Sequence, residues 1–202
     1  KRGKSLNNIG ASYWRKEEYD QALNYFSRSL KIREELDDKI GIGECINNSE
    51  AIHWGKDEYD QELEYYSRAL KISEEIGHKS RIGQSLNNIG VIYVNKGEYD
   101  QALNYFSRAL KIGEELGDKS EIGQSLNNIG ASYWRKDEYD QALNYFSRSL
   151  KIREELDDKI GIGECINNIG AIHWGKGEYD QALEYYSRAL KISEEIGHKS
   201  RI

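Results

Sequence analysis

The chain has 202 residues, no proline, no methionine and a formal net charge of −6. This acidic balance disfavours nucleic-acid binding, because neutralising phosphates requires a basic face, and no apolar run approaches the roughly 18 residues that span a membrane. Since proline breaks helix interiors, its absence favours uninterrupted helices.

A 40-residue repeat organises the chain. The motif EYDQ begins at residues 18, 58, 98, 138 and 178, and LNNIG or a related INN segment precedes it each time. Self-similarity at a fixed period of this length is typical of repeat architectures. We therefore predict a single array over 1–202, with repeats at about 1–38, 39–78, 79–118, 119–158 and 159–198 and the start of a sixth at 199–202.

A longer period lies over the shorter one. Residues 5–82 match residues 125–202 at all positions except 17, 49, 50, 57 and 62. The two segments are offset by 120 residues, which is the length of three repeats. This offset indicates that three repeats were copied as a block, by natural duplication or by construction.

The first helix of each repeat shows helical spacing of its apolar residues, most clearly in the fourth repeat. Leu126, Ile129 and Tyr133 fall on one face. Asp118 and Glu121 have the spacing of a capping box, so the helix is expected to begin there and to end near residue 136.

The second helix follows a tight turn at residues 137–138 and is expected to reach about residue 156. Its predicted buried stripe includes Ala142 and Phe146. Gly117 and Gly197 stand where a C-terminal glycine ends a helix, and aspartate takes this place in the first and fourth repeats.

The pattern L-x-x-I-G-x-x-Y followed by E-Y-D-x-A-L-x-Y-F-x-x-A/S-L resembles the tetratricopeptide repeat. Its small and aromatic positions are Gly90, Tyr93, Ala102 and Ala109 in the third repeat. The 40-residue length resembles the longer repeats of kinesin light chains and of polarity scaffolds with GoLoco-type partners. The resemblance implies an all-α fold, a right-handed superhelical α-solenoid of five helix–turn–helix repeats, whose first helices line a concave groove for a protein or peptide ligand.

Paired asparagines are the main groove candidates. An asparagine offers both a donor and an acceptor, so a regular series of them could hold the backbone of an extended peptide. The resemblance implies this role for the second asparagine of each pair; the alternative is that the amides bridge neighbouring first helices or cap local backbone. The second asparagines are Asn8, Asn48, Asn88, Asn128 and Asn168, and the first are Asn7, Asn47, Asn87, Asn127 and Asn167.

Tryptophans occupy one position of four repeats, at Trp14, Trp54, Trp134 and Trp174. Aromatic residues are enriched at binding hot spots, so Trp14 and Trp134 are groove candidates, although packing against the next helix is the alternative. Arg15 and Arg135 follow them and could contact an acidic group on a partner.

The second repeat departs from the others. Ser49, Glu50 and Glu62 stand where the fifth repeat has Ile169, Gly170 and Ala182. Two carboxylates at a close helix crossing predict local loosening; the alternatives are a polar cluster satisfied by water or by a displaced helix, or a divalent metal bound by Glu50, His53 and Glu62.

No set of residues predicts catalysis or a cofactor, because no nucleophile–base pair, phosphate loop or paired catalytic carboxylates are recognisable. The two cysteines, Cys45 and Cys165, stand three repeats apart and are expected to be unpaired, which fits a reducing, cytoplasmic setting. We expect a peptide-binding scaffold; the alternatives are a structural or engineered self-assembling array without a ligand, and a sensor segment of a larger signalling protein. Head-to-tail association through uncapped ends is also expected.

Overall fold

The computed structural model describes residues 2–36, 38, 41, 44–45, 48, 59–75 and 77–199. These ranges contain helices and turns and no strand, and none of their helices is long and apolar enough to cross a membrane. The helices are α1 (Arg2–Trp14), α2 (Tyr19–Glu35), α3 (Tyr59–Glu75), α4 (Lys79–Asn95), α5 (Tyr99–Leu116), α6 (Lys119–Arg135), α7 (Tyr139–Glu155), α8 (Lys159–Gly175) and α9 (Tyr179–Lys199).

The chain divides into two compact units, 1–85 and 86–202, with the boundary inside α4. In the first unit α1 packs against α2. In the second unit α6 packs against α5 and α7, and α8 packs against α7 and α9. The first helices α6 and α8 also touch each other, so successive helical hairpins stack within this unit.

The helix start predicted at Asp118 is confirmed. Its carboxylate accepts a hydrogen bond from the backbone N–H of Glu121, at 3.1 Å. The second bond of a capping box would run from the Asp118 N–H to the Glu121 side chain. Here that N–H donates instead to the carbonyl oxygen of Gly113. This bond and the left-handed φ of 66° at Gly117 end α5 as predicted.

The other helix-ending glycine prediction is wrong. Gly197 lies within α9, which continues to Lys199. In the fourth repeat Asp157 adopts the left-handed conformation, with φ of 52°, at the place where Gly117 stands in the third. An aspartate tolerates this conformation better than most residues, since its short side chain can bond locally.

The hairpin of the fourth repeat closes around one small residue on each helix. In the fourth repeat Gly130 lies against the buried ring of Phe146, and Ala142 is fully buried. A stacked pair of rings, Tyr133 and Tyr145, joins the same two helices with centroids 5.5 Å apart. These contacts place the predicted buried stripe of α7 against α6.

Candidate functional site

A hydrogen bond between asparagine side chains links the first helices of neighbouring repeats. In each case Nδ2 of the second asparagine donates to Oδ1 of the first asparagine in the preceding repeat. The bonds join Asn48 to Asn7 (3.3 Å), Asn128 to Asn87 (3.4 Å) and Asn168 to Asn127 (3.2 Å). The bridging arrangement that the sequence left open as an alternative is therefore present.

Asn87 is the centre of the largest of these polar clusters. Its Nδ2 donates to Glu121 Oε1 at 2.7 Å and to the Ser125 hydroxyl at 3.0 Å. Burial raises the pKa of the Glu121 carboxyl, and the hydrogen bond from Asn87 opposes that rise. Asn87 thus stabilises a desolvated carboxylate and has no amide group left over for a ligand.

The two asparagines of each pair differ in exposure. The first ones, Asn7 and Asn87, are buried, whereas Asn127 is half-buried. The second ones are more accessible, with Asn8 exposed and Asn48, Asn88, Asn128 and Asn168 half-buried. Asn47 lies outside the described residues, and Asn167 is exposed on α8.

The bridging bond fixes how the second asparagine presents its amide. At Asn128 and Asn168 the Nδ2 group donates to the neighbouring repeat. Within the part of the chain that the structure describes, Oδ1 of these two residues accepts no hydrogen bond. A half-buried carbonyl oxygen held in one orientation can accept a bond from a peptide N–H.

The tryptophan position faces the following repeat. Trp134 is half-buried and packs against a cluster that includes Ile169 and Ile172 of the fifth repeat. Trp174, the equivalent residue of the fifth repeat, is 63% exposed, and Trp14 is also exposed. Trp134 therefore packs against the next helix, which was the alternative to a groove position. Trp54 lies outside the described residues.

The two arginine candidates are exposed. The guanidinium of Arg135 lies over the Trp134 ring, 5.1 Å from its centroid, a cation–π contact. Arg15 follows Trp14 on the turn after α1. Both arginines are accessible to an acidic group on a partner.

Glu62 is the only one of the second repeat's unusual residues that the described ranges contain. It is half-buried on α3, where the equivalent Ala22, Ala102 and Ala142 are 0% exposed. Burial raises the pKa of its carboxyl. Ser49, Glu50 and His53 lie outside the described residues, so the loosening and metal hypotheses remain predictions.

The packing of a large side chain against a glycine of the neighbouring repeat was not predicted from the sequence. Arg153 of α7 lies against Gly161 of α8, where an added Cβ would be 2.6 Å from its Cδ, and its guanidinium pairs with Asp158. At the preceding junction the small residue is on the second helix and the large one on the first helix that follows, since Gly113 of α5 lies near Glu121 of α6. The signal was visible in the sequence, because residues 33 and 41 are likewise Arg and Gly.

Comparisons with known proteins agree with this architecture. The family model for the tetratricopeptide repeat matches residues 2–75, 81–155 and 121–195. A search of curated proteins finds no match.

Solved structures share the fold at low sequence identity. BtubC (BKLC) from P. vanneervenii superposes with a TM-score of 0.82 and is 22% identical over 96% of this chain and 80% of its own. A Rap protein complexed with Competence and Sporulation Factor has a TM-score of 0.76 and 20% identity, over 94% of this chain and 53% of its own. A Podosopora anserina putative kinesin light chain with nearly identical TPR-like repeats has a TM-score of 0.71 and 12% identity, over 96% of this chain and 95% of its own.

Proposed function

The chain belongs to the tetratricopeptide repeat family, and we propose that it is a non-enzymatic protein-interaction module that binds an extended peptide along its first helices. The observation that carries this proposal is the fixed amide of the second asparagine in successive repeats. At Asn128 and Asn168 the donor side of the amide is engaged by the preceding repeat, and Oδ1 is left to accept from a ligand.

The contacts expected of such a peptide follow from this geometry. A series of acceptors, one per repeat, would bond backbone N–H groups and would not read side chains. Each unit has an exposed arginine, Arg15 in the first and Arg135 in the second, that would add a charge-assisted bond to an acidic group of a ligand. The buried Asn7 and Asn87 are left out of the proposed contacts, since they join neighbouring helices or hold a carboxylate.

The Rap structure supports the proposal by analogy of fold. That protein, over 53% of whose length the fold is shared, was crystallised in complex with Competence and Sporulation Factor. Its sequence identity of 20% supports the fold alone. Which ligand this chain binds therefore has to be found by experiment.

A peptide-library screen with the purified chain tests the proposal. Peptides that bind are then remeasured by calorimetry against the double variant Asn128→Ala/Asn168→Ala, whose affinity should fall by about tenfold if two backbone bonds are lost. The matched control is Asn104→Ala/Asn144→Ala, since these asparagines are exposed on the second helices α5 and α7. No binder in the library, or equal losses in both double variants, would contradict a groove along the first helices and would favour the self-assembling or sensor alternatives.

A further inference from the structure

The first helices α6 and α8 of the second unit each carry one stripe of accessible residues. Its members recur at spacings of four, three and four residues, which place them on one side of a helix. These residues form the groove stripe: Gln124, Asn128, Ala131, Arg135, Glu164, Asn168, Ala171 and Gly175. All of them are exposed or half-buried, so a peptide in the proposed groove would lie on this stripe.

The stripe is accessible inside the array. The helix α6 packs against α5, α7 and α8, yet Gln124 and Arg135 at the two ends of its stripe are exposed. Glu164 is exposed at the place on α8 that Gln124 holds on α6. The stripe therefore stays open to a ligand where repeats pack on both sides.

Two charged side chains of these helices are distinguished by making no ion pair. Within the described residues, Arg135 and Glu164 have no partner of opposite charge, and both lie on the groove stripe. The other ionisable side chains of α6 and α8 each pair or hydrogen-bond with a described residue: Lys119, Glu121, Lys159 and His173. An unpaired cation and an unpaired anion on a binding surface favour a ligand that brings the opposite charge to each.

Arg135 is oriented to bind a carboxylate. Its guanidinium lies over the Trp134 ring, 5.1 Å from the centroid, and this contact holds the planar group while its N–H edge stays available for two parallel bonds. The equivalent residues of the neighbouring repeats, Asn95 and Gly175, carry no charge. Glu164 is likewise flanked by a neutral equivalent, since α6 has glutamine at this place.

The helices α6 and α8 run side by side in the same direction. Gly123 and Gly161 lie near the start of α6 and α8, and both lie against Arg153 of α7. The side chain of Asn168 also bonds across this junction. Equivalent residues of the two helices therefore lie at the same level, as Asn128 and Asn168 do.

The two unpaired charges lie at opposite ends of the stripe. Glu164 is level with Gln124, and the eleven residues from there to Arg135 rise about 16 Å along the helix. With roughly 9 Å between packed helices, the two backbone positions are about 19 Å apart, which about six residues of extended chain span. The second asparagines lie between the two charges on this path.

We propose that the groove stripe of the second unit selects an extended peptide that carries one acidic and one basic side chain about six residues apart. The acidic group binds Arg135, the basic group binds Glu164, and the backbone between them donates to Oδ1 of Asn128 or Asn168. The alanines of the stripe leave room for that backbone. This selection rests on the proposed peptide-binding function and adds to it the charge pattern of the ligand.

Four sublibraries of dodecapeptides test the charge pattern. Each fixes two positions six residues apart as glutamate–lysine, lysine–glutamate, two glutamates or two lysines, and randomises the others among uncharged residues. The unmodified chain should enrich the two mixed sublibraries about fivefold over the two like-charged ones, because a like-charged peptide places one repelling pair on the stripe. Fixed positions only three residues apart should give no such preference, since both charges cannot then reach their partners.

Charge reversal at one end of the stripe should switch the preference. Glu164→Lys should favour the two-glutamate peptides, and Arg135→Glu should favour the two-lysine peptides. The matched controls, Glu184→Lys and Arg148→Glu, change the net charge equally on the second helices α9 and α7, where both residues are exposed. Arg148 also lies over a ring, that of Tyr145. These controls should keep the preference for mixed peptides.

Circular dichroism checks that each variant is folded. Should a charge reversal unfold the chain, Glu164→Gln and Arg135→Asn take its place, because neighbouring repeats carry glutamine and asparagine at these positions. Each neutral variant should lose the preference for mixed peptides, and a preference kept in both would overturn the proposal.

The outcomes separate this proposal from the function on which it rests. Peptides that bind through Asn128 and Asn168 with no preference among the four sublibraries would overturn the charge pattern alone. A switch in the second-helix controls equal to that in the stripe variants would overturn it as well, because net charge would then decide. No enrichment of any sublibrary, or binding that Asn128→Ala/Asn168→Ala leaves unchanged, would contradict the proposed function and the charge pattern with it.

Discussion

Gly130 of α6 lies against the ring of Phe146 of α7, so closely that a Cβ added at Gly130 would be 2.9 Å from Cδ1 of the ring. Phe146 is fully buried and packed on Ala142 and on two isoleucines of the next repeat. The ring therefore has little space into which it could move, and the crossing of the two helices depends on the missing side chain.

Replacing this glycine with alanine should destabilise the chain, even though alanine is the better helix former. We expect Gly130→Ala to lower the free energy of unfolding by about 1–3 kcal/mol, the usual cost of overpacking a core. The matched control is Gly163→Ala in α8, where the nearest atom to an added Cβ is 3.7 Å away. This control should stabilise by up to about 1 kcal/mol. Urea denaturation of both variants gives the comparison, and two changes of the same sign would contradict the close crossing.

The hairpin was predictable from sequence because its period, cap and small residues are local signals. Asp118 and Gly117 mark the boundary between repeats, and the structure confirms both. Gly197 was misleading because a glycine inside a helix and one that ends it give the same local signal, and α9 continues through Gly197 to Lys199.

The asparagine pair was harder to interpret. Both faces of a first helix in a stacked array contact other helices, so adjacent polar residues can each be internal. Asn87 and Asn128 are next to each other in space although 41 residues separate them, and only the stacking of repeats brings them together. Spacing within one repeat could not show which asparagine faces the neighbour.

Glu62 should make the stability of the first unit depend on pH. Burial raises the pKa of its carboxyl above the ordinary 4.5, so the folded state binds the proton more tightly than the unfolded state does. Below pH 4.5 the carboxyl is protonated in both states and does not lower the free energy of unfolding. That free energy falls as the pH rises through the raised pKa. Glu62→Gln should thus match the unmodified chain in acid and exceed its stability at neutral pH.

Denaturation of Glu62→Gln across this pH range measures the effect. Glu64→Gln is the control, because Glu64 is exposed on the same helix, and its difference from the unmodified chain should stay near zero throughout. A stability gain for Glu62→Gln that is constant with pH would mean that charge is not the cause. Glu62→Ala, which restores the residue of the other repeats, should stabilise by about 1 kcal/mol or more at neutral pH.

Asn87→Ala should destabilise the second unit by about 1–3 kcal/mol, since it leaves the half-buried Glu121 carboxylate without its amide donor. Losing that donor raises the pKa of Glu121 further, so the penalty should grow as the pH rises above the ordinary 4.5. Asn127→Ala is the matched variant, because Gly161 stands in place of a carboxylate there. Its smaller penalty should not change with pH in urea denaturation, and equal pH dependence in the two variants would contradict the role given to Glu121.

At the turn between the two helices of a repeat, the stability change on introducing or removing a glycine should depend on the φ of that residue alone. Gly97 has φ of 76° and no atom within 4 Å of an added Cβ, so Gly97→Ala should cost about 1 kcal/mol through backbone strain. Glu17 holds the equivalent position with φ of 60°. Glu17→Gly should therefore stabilise by up to about 1 kcal/mol. Thermal unfolding compares them, and a neutral Gly97→Ala would argue against the left-handed turn.

The two cysteines offer a measure of local opening in each unit. Cys45 and Cys165 are buried, and burial raises the pKa of both thiols. Because the thiolate is the reactive form, labelling with a thiol reagent requires the surrounding structure to open. Cys45 packs with Ala69 of α3, the helix that carries the half-buried Glu62. We expect Cys45 to react faster than Cys165 in the folded chain.

Single-thiol variants, Cys45→Ser and Cys165→Ser, separate the two rates in a colorimetric thiol assay. Serine keeps a hydroxyl for the hydrogen bonds that the thiols make with Ser29 and Ser149. Adding Glu62→Ala should slow the labelling of Cys45 by about fivefold, the effect of about 1 kcal/mol on an opening equilibrium, and leave Cys165 unchanged. If both thiols slowed together, opening would be global, and Glu62 would act on the whole chain and not on the unit that contains it.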